Sequence, residues 1–443
     1  MQAETKKLGV ISLGCDKNRV DTENALAYFA DAGWAAVSDL SQADAILVNT
    51  CAFIDPAKQE SIDAVLEAAE YKKSGKCKVL AVSGCLPQRY FAQLKEGLPE
   101  IDVLAGTDRY KDLPAAVEAA LAGSGGAELA NDKNSRSFTC KRVLTTPRHY
   151  AYLKIAEGCS NRCTYCAIPA IRGDYTSRAE EELTAEARTL AQEWGVKELI
   201  LVAQDVSRYG TDGGEKRLIP LLDKLSALPF ERIRLLYLYP EQVDDELIEY
   251  IAKNDKICKY VDIPLQHISD KILKRMGRRV NGAYIRELTE KLRAKGIFMR
   301  SAFIVGFPGE SEEDFEELLG FLREARLYAC GFFAYSKEDG TAAARLDGQL
   351  PERVKKARRK RAYQVQAQVS ARSKAELIGK VFDVIYEDID YEKQLFCGRT
   401  GFQTPDVDGV TYFTSGQPLD VGGTYRVRIT GVSGEDLLGE VTE

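Results

Sequence analysis

Between Leu8 and Ser336 the chain alternates short apolar runs with polar stretches of helical period, and that rhythm constrains its fold more than any other feature. KLGVISLGC, ENALAYFADAGW, ADAILVNTC, SIDAVLEAAEYKK and KVLAVSGC follow one another in the first part, the β–α succession of a parallel sheet. GSGGAELANDKNSR, rich in glycine and small polar residues, then reads as a flexible connector. Beyond it the rhythm resumes, with candidate strands in RHYAYLKIAEGC, ELILVAQDV, RIRLLYLYP, KYVDIPLQH, FMRSAFIVGFP and ACGFFAYS and helical segments between them. Six β–α units predict an incomplete barrel with its reactive groups in loops at the carboxyl ends of the strands. From Leu377 the pattern changes to short strands and turns, KVFDVIYEDID, QLFCGRT, GVTYFTSG, GTYRVRITGV and LLGEVTE, as in a small all-β barrel. A chain of 443 residues exceeds what one hydrophobic core supports. The expected architecture is α/β multidomain: an N-terminal open parallel α/β domain over 6–122, a central partial (β/α)6 barrel over 145–374, and a C-terminal small antiparallel β-barrel over 376–443.

Cysteine placement gives this frame a chemistry. CSNRCTYC, directly after the first strand of the second unit, sets Cys159, Cys163 and Cys166 with three and then two residues between them. Iron–sulfur clusters are normally held by four thiolates, so a tight triplet leaves one iron open to a ligand that is not protein. A structural zinc site needs a fourth cysteine or histidine close by, and His149 lies outside the loop on a candidate strand. In the first unit three strands end in cysteine: Cys15 after VISLG, Cys51 after ILVNT and Cys85 after VLAVSG. The carboxyl ends of an open parallel sheet line one crevice, so these three thiols converge and a second metal or cluster site is expected there. Asp16, Lys17 and Asn18 behind Cys15 fit a loop site rather than a core. No GxGxxG or GxxxxGK phosphate loop occurs, which leaves nucleotide binding by this unit poorly supported. Cys77, Cys140, Cys258, Cys330 and Cys397 lack convergent spacing and read as buried or incidental thiols.

Gly306 and Gly309 in FIVGFPGE follow a strand, where missing side chains either admit a cofactor to the backbone or form a tight strand-to-helix turn. Gln204 and Asp205 end another strand on the same face and either contact a cofactor or cap the surface. His267 in PLQH reads as a hydrogen-bonded structural residue. MQAETKKLGV lacks the apolar core of a signal peptide, and no run approaches the ~20 apolar residues of a membrane span. A cytoplasmic protein without a membrane partner is expected, its eleven cysteines being reduced thiols or metal ligands. A net charge of -6 gives no general attraction for nucleic acid. The run ERVKKARRKR, Glu352 to Arg361, is the local exception, as a solvated helix face or a nucleic-acid contact. From Glu376 onward thirteen acidic side chains face five basic ones, a poor surface for a polyanion and a suitable one for a basic protein.

The spacing in CSNRCTYC resembles the signature of the radical S-adenosylmethionine superfamily. With AEGCSNRCTYCAIPAIRG around it, LGCDKN, NTCAFI and SGC upstream, FIVGFPGESEEDF downstream and a β-barrel tail, nearly the whole chain is similar, in the same order, to the methylthiotransferases of that superfamily, with a TRAM-like tail. RHYAYLKIAEGC, PLQHISDKILKRMGR and CDKN are similar to the branch that modifies an aspartate of a ribosomal protein; the transfer-RNA enzymes carry CQMN or CKVN-like sequences in place of CDKN.

The resemblance implies two 4Fe-4S clusters. Cys159, Cys163 and Cys166 would hold the catalytic one, whose open iron chelates S-adenosyl-L-methionine and whose electron cleaves it to methionine and a deoxyadenosyl radical. Gln204, Asp205, Gly306 and Gly309 would be cofactor contacts. A radical is needed because an unactivated C–H bond lies beyond ordinary acid–base groups. Cys15, Cys51 and Cys85 would hold the auxiliary cluster, whose open iron carries the sulfur to be donated, and a second S-adenosyl-L-methionine would methylate that sulfur. The implied target is the β-carbon of an aspartate in ribosomal protein S-twelve, met free or in the small ribosomal subunit, with an electron donor such as flavodoxin or ferredoxin. The alternative is a tRNA methylthiotransferase, favoured by the basic run and opposed by CDKN and the acidic tail. The third reading is a non-catalytic iron–sulfur carrier, which needs neither an open-iron triplet nor a long partial barrel.

Overall fold

The computed structural model describes residues 5–130 and 138–442. In the first unit β1 (Lys7–Ser12), β2 (Ala35–Val37), β3 (Ala45–Thr50), β4 (Val79–Gly84), β5 (Val103–Ala105) and β6 (Ala127–Leu129) form one parallel sheet in the order β2-β1-β3-β4-β5-β6. Alternation along β3 and β4 sends Ile46, Val48, Leu80 and Val82 into one apolar layer and Ala45, Leu47, Val79 and Ala81 into the other. Both layers are covered by helices, which is why the central strands are buried throughout. β6 corrects the expectation of a connector: Ala127–Leu129 pairs with β5 and ends the sheet, its first amide donating to Asp102 O at 2.9 Å. The later part of that stretch, 131–136, lies outside the described residues.

In the second unit β7 (Tyr150–Lys154) leads into a two-residue antiparallel pair, β8 (Ala156–Glu157) with β9 (Thr176–Ser177). β10 (Glu198–Val202), β11 (Arg232–Leu235), β12 (Ile257–Asp262), β13 (Phe298–Val305) and β14 (Ala329–Ala334) follow, and all six main strands run parallel in the order β14-β13-β12-β11-β10-β7. β14 and β7 end the sheet, so the barrel is incomplete, as the six β–α units predicted. Ala151, Leu153, Leu199 and Leu201 pack under the helices with Leu183, Leu221, Leu288 and Phe315. Tyr150, Tyr152, Ile200, Val202 and Tyr260 face the other way, where Val20 of the first unit and Phe402, Ile429 and Leu437 of the third cover them.

The third unit is a closed barrel of β15 (Val381–Asp390), β16 (Leu395–Thr400), β17 (Thr411–Thr414), β18 (Thr424–Ser433) and β19 (Asp436–Val441). Its pairings are antiparallel except one: β18 and β19 form a hairpin, and β18 runs opposite to β17, so β19 closes the barrel parallel to β17. Phe402 anchors the barrel to the second sheet, its ring stacked on Phe298 at 4.2 Å between centroids and edge-on to Tyr328 and Phe382. Beside it Glu198, at the start of β10, accepts from Arg234 at 2.7 Å and from Arg399 of the barrel at 2.9 Å. Arg399 also holds Glu387, which bonds His149 at 2.9 Å. Among the described residues no helix is long and apolar enough to cross a membrane.

Burial alone would raise the Glu198 carboxyl, but Arg234, Arg399 and Arg232 together hold it well below its ordinary value of 4.5. A carboxylate depressed on folding contributes stability that is complete above its unfolded pKa and is lost as pH falls through the folded one. Glu198→Gln leaves the arginines facing one another and is expected to cost about 3–5 kcal/mol. Thermal unfolding as a function of pH checks this: the variant should melt lower at neutral pH and lose part of the parent's decline below pH 4.5, and an unchanged midpoint would contradict the assignment.

Candidate active site

Cys15 precedes the helix Asp16–Asp31, Cys51 follows β3, and Cys85 opens the helix Cys85–Gly97 directly after β4. Because β1, β3 and β4 are neighbours in the sheet, the three thiols share one crevice. Burial first, then the proximity of Cys85 and Cys15, pushes the Cys51 thiol up to about 12. Gly14 approaches so closely that a Cβ there would lie 2.8 Å from Cys51 Cβ, at a φ of +89° that favours glycine. Asn18 ties the loops together, donating to Leu13 O and Thr50 O, each at 2.9 Å. Asp16, Lys17 and Asn18 differ from expectation: they are the first turn of a helix, and Lys17 and Asn18 are buried because that helix packs onto the second unit. Asp16 accepts from Tyr237 Oη at 2.9 Å, and Lys17 Nζ stands 3.0 Å from the centre of the Tyr237 ring. Tyr237 itself has a left-handed φ of +59°, a strained conformation for a bulky residue.

Cys159, Cys163 and Cys166 lie on the loop that β8 and β9 close at its base. Cys159 N donates to Gly173 O at 3.0 Å and Thr164 N to Met276 O at 3.0 Å, which pins both arms of the loop. Burial first pushes Cys159 up to about 11 and Cys166 up to about 12, and neighbouring thiols of the same loop add to it. Tyr239 Oη lies 3.5 Å from Cys163 Sγ. Arg278 stacks over the Tyr239 ring at 4.4 Å and directs Nη1 at Cys163 Sγ from 3.9 Å.

A buried ionic seam separates the two sets of thiols. Arg172 Nη2 stands 3.5 Å from Cys85 Sγ, 2.6 Å from Asn18 Oδ1 and 2.9 Å from Asp21 Oδ2, and its Nη1 donates to Glu157 Oε2 at 2.9 Å. Glu157 Oε2 also accepts from Lys154 Nζ at 2.8 Å, while Oε1 accepts from Gln204 Nε2 at 2.7 Å and from Gly158 N, adjacent to Cys159, at 3.1 Å. Lys154 in turn bonds Asp21. On the other flank Arg89 donates to Ala52 O at 2.9 Å, to Glu338 Oε2 at 2.7 Å and to Asp339 O at 2.8 Å, joining the Cys51 loop to the segment after β14.

The remaining candidate residues fall in two places. Gln204 joins the seam through Glu157. Asp205 is buried nearby, accepting from Asn161 of the cysteine loop at 2.9 Å and from Ser207 at 2.6 Å, and burial pushes its carboxyl up to about 6. Gly306 and Gly309 form the turn after β13, where a Cβ on Gly306 would lie 2.5 Å from Lys355 Cγ and one on Gly309 3.0 Å from Arg275 Nε. Packing of Lys355 and Arg275 therefore accounts for both glycines. Glu157, Arg172, Tyr237, Tyr239 and Arg278 were not singled out from the sequence. The signal for Arg172 was an arginine inside the apolar run AIPAIRG.

All-thiol donor sets suit iron–sulfur clusters. Cys51, Cys85, Cys159 and Cys166, each raised by burial first and then by neighbouring thiols, ionise together only if a metal takes up their charge. One buried guanidinium beside each set, Arg172 at Cys85 and Arg278 at Cys163, also fits an anionic group. Among the described residues no three His, Cys, Asp or Glu side chains are gathered for a single metal ion. A cluster, whose thiolates bind different irons, spreads its ligands wider.

Residues 7–106 match the Uncharacterized protein family UPF0004, residues 153–322 the Radical SAM superfamily and residues 378–442 the TRAM domain. Among curated proteins the chain is 44% identical to the ribosomal protein uS12 methylthiotransferase RimO of Acetivibrio thermocellus over 98% of both chains. It is 46% identical to that of Pelobacter propionicus over 99% of both. Among solved structures, the radical S-adenosylmethionine methyltransferase TsrM from Kitasatospora setae aligns with a TM-score of 0.55 at 16% identity, over 74% of this chain and 75% of its own, a likeness of fold. The RimO relatives match nearly end to end at 44% and 46% identity, so the chain belongs to the RimO family of radical S-adenosylmethionine methylthiotransferases.

Proposed function

We propose that this chain carries out the reaction for which its relatives are named, attaching a methylthio group to ribosomal protein uS12, at the β-carbon of an aspartate side chain. The observation that carries this reading is the pair of all-thiol sets facing one buried ion pair, Arg172 and Glu157. Cys159, Cys163 and Cys166 would hold the 4Fe-4S cluster that takes S-adenosyl-L-methionine, with Gln204 and Asp205 beside the cofactor. Cys15, Cys51 and Cys85 would hold the auxiliary 4Fe-4S cluster. When bound, these groups supply what side chains lack: homolytic removal of hydrogen from an unactivated carbon, and a sulfur and a methyl group to replace it. The chain's own part is placement. Burial of Cys85, Cys159 and Cys163 keeps water from the reacting region, and the Arg172 and Arg89 bridges fix one thiol set against the other.

The charge distribution supports a protein target over transfer RNA. The basic run begins the helix Glu352–Ala375, and two of its arginines are already paired: Arg358 with Glu310 at 2.6 Å and Glu312 at 3.1 Å, Arg361 with Glu312 at 2.7 Å and with Glu316. The third unit carries the acidic excess, which suits a basic ribosomal protein in the cytoplasm. An electron donor such as flavodoxin or ferredoxin completes the set of partners.

The test is anaerobic reconstitution with iron and sulfide, then reaction with S-adenosyl-L-methionine, reductant and either uS12 or transfer RNA, read by mass spectrometry. A methylthio group on an aspartate of uS12 is expected; one on the RNA, bound with steep salt dependence, would move the chain to the alternative, and iron uptake without cofactor cleavage would make it a carrier. Cys163→Ala is expected to lose about half of the iron and all deoxyadenosine production. Cys51→Ala should lose the other half, keep cleaving the cofactor and add no sulfur; normal methylthiolation by that variant would overturn the division of roles.

A further inference from the structure

We infer that Arg172 is a positioning residue for the first set of thiols: held by Glu157 of the second unit, it donates to Cys85 Sγ and raises the reduction potential of the cluster bound there. The inference rests on the reading of Cys15, Cys51 and Cys85 as cluster ligands. Its starting point is that Arg172 comes from the wrong side of the molecule. It ends the short helix Ile168–Arg172, directly after the Cys159–Cys166 loop, yet its Nη2 lies 3.5 Å from Cys85 in the first unit. The segment that carries one set of thiols thus delivers a hydrogen bond to the other.

The guanidinium is fixed rather than loosely attracted. Asn18 and Asp21 of the first unit and Glu157 of the second all accept from it within 3 Å, and the whole group is buried. A planar fork held at three points keeps its remaining direction constant, which an ammonium cannot do. Glu157 also accepts from Gly158 N, next to Cys159. A continuous line of contacts therefore runs Cys85, Arg172, Glu157, Gly158, Cys159. A hydrogen bond and a cation at a ligand sulfur stabilise an added electron, and cluster potentials follow net charge and hydrogen bonds to sulfur. The seam contains Asp21 as well, but it is Arg172 that stands against Cys85 Sγ, at 3.5 Å, while Asp21 holds the guanidinium from 2.9 Å.

The experiment uses the full-length chain with Cys159, Cys163 and Cys166 changed to Ala, so that only the first site takes a cluster, and measures its midpoint potential by anaerobic titration together with iron content. Arg172→Gln is expected to keep about four irons per chain and to shift the reduction equilibrium at least tenfold against the reduced form, about 59 mV for a one-electron couple. Arg172→Lys, which keeps the charge without the fork, should give a smaller shift of the same sign. A merely structural role would lower iron content and leave the potential of the remaining clusters in place; that result overturns the inference, and so does an unmoved potential in Arg172→Lys if Arg172→Gln fails to fold. If the background protein takes up no cluster, or the same amount after Cys51→Ala, the reading of the first site fails instead.

Discussion

Thiols gathered in one crevice stay ionised only when positive charge lies among or beside them, and much of the interior between the first two units answers that constraint. Arg172 and Arg278 each reach a cysteine sulfur. A buried guanidinium needs counter-charges of its own, which Asp21 and Glu157 provide, and these in turn take up Lys154. A second network lies beside the first, with Glu23 and Glu186 around Arg142 and Arg178. Ion pairs of this kind recover their desolvation cost only with good geometry and add little net stability. What they provide is a single arrangement of the two loops.

That arrangement uses ordinary features of the fold. Parallel sheets expose their strand ends along one edge, and in both sheets the cysteines stand just past those ends. The second unit's own helices cover one face of its sheet, so the other, apolar face needs cover from elsewhere. Val20 of the first unit and the small barrel provide it, and Phe402, Glu198 and Arg399 anchor that barrel.

The sheets, the barrel and both cysteine triplets were legible in the sequence because each is written locally: strands as apolar runs, the barrel as short runs with turns, the loop triplet as adjacent residues. Cys15, Cys51 and Cys85 were legible because β–α order predicts which ends are neighbours. Ala127–Leu129 was not, since three residues among glycines carry too little pattern to mark an edge strand. Arg172, Glu157 and Tyr237 were missed because their roles depend on what a distant unit brings to them. Gly306 and Gly309 show the converse: their conformation was legible, but whether the space beside them belonged to a ligand or to Lys355 and Arg275 depended on tertiary packing.

The seam also bears on how such a chain is inherited. Asp21 and Glu23 sit on a helix of the first unit, while Lys154, Arg172 and Arg142 lie beyond it in sequence, and every one of them is buried. Separating the units would strand Asp21 and Glu23 without their cations and leave Lys154, Arg172, Arg142 and Arg178 with only Glu157 and Glu186 from these networks, so neither is a module that could be exchanged alone. Recombination that replaced one would have to bring both halves of the seam or break it, which makes the two units, for all their separate sheets, a single heritable block.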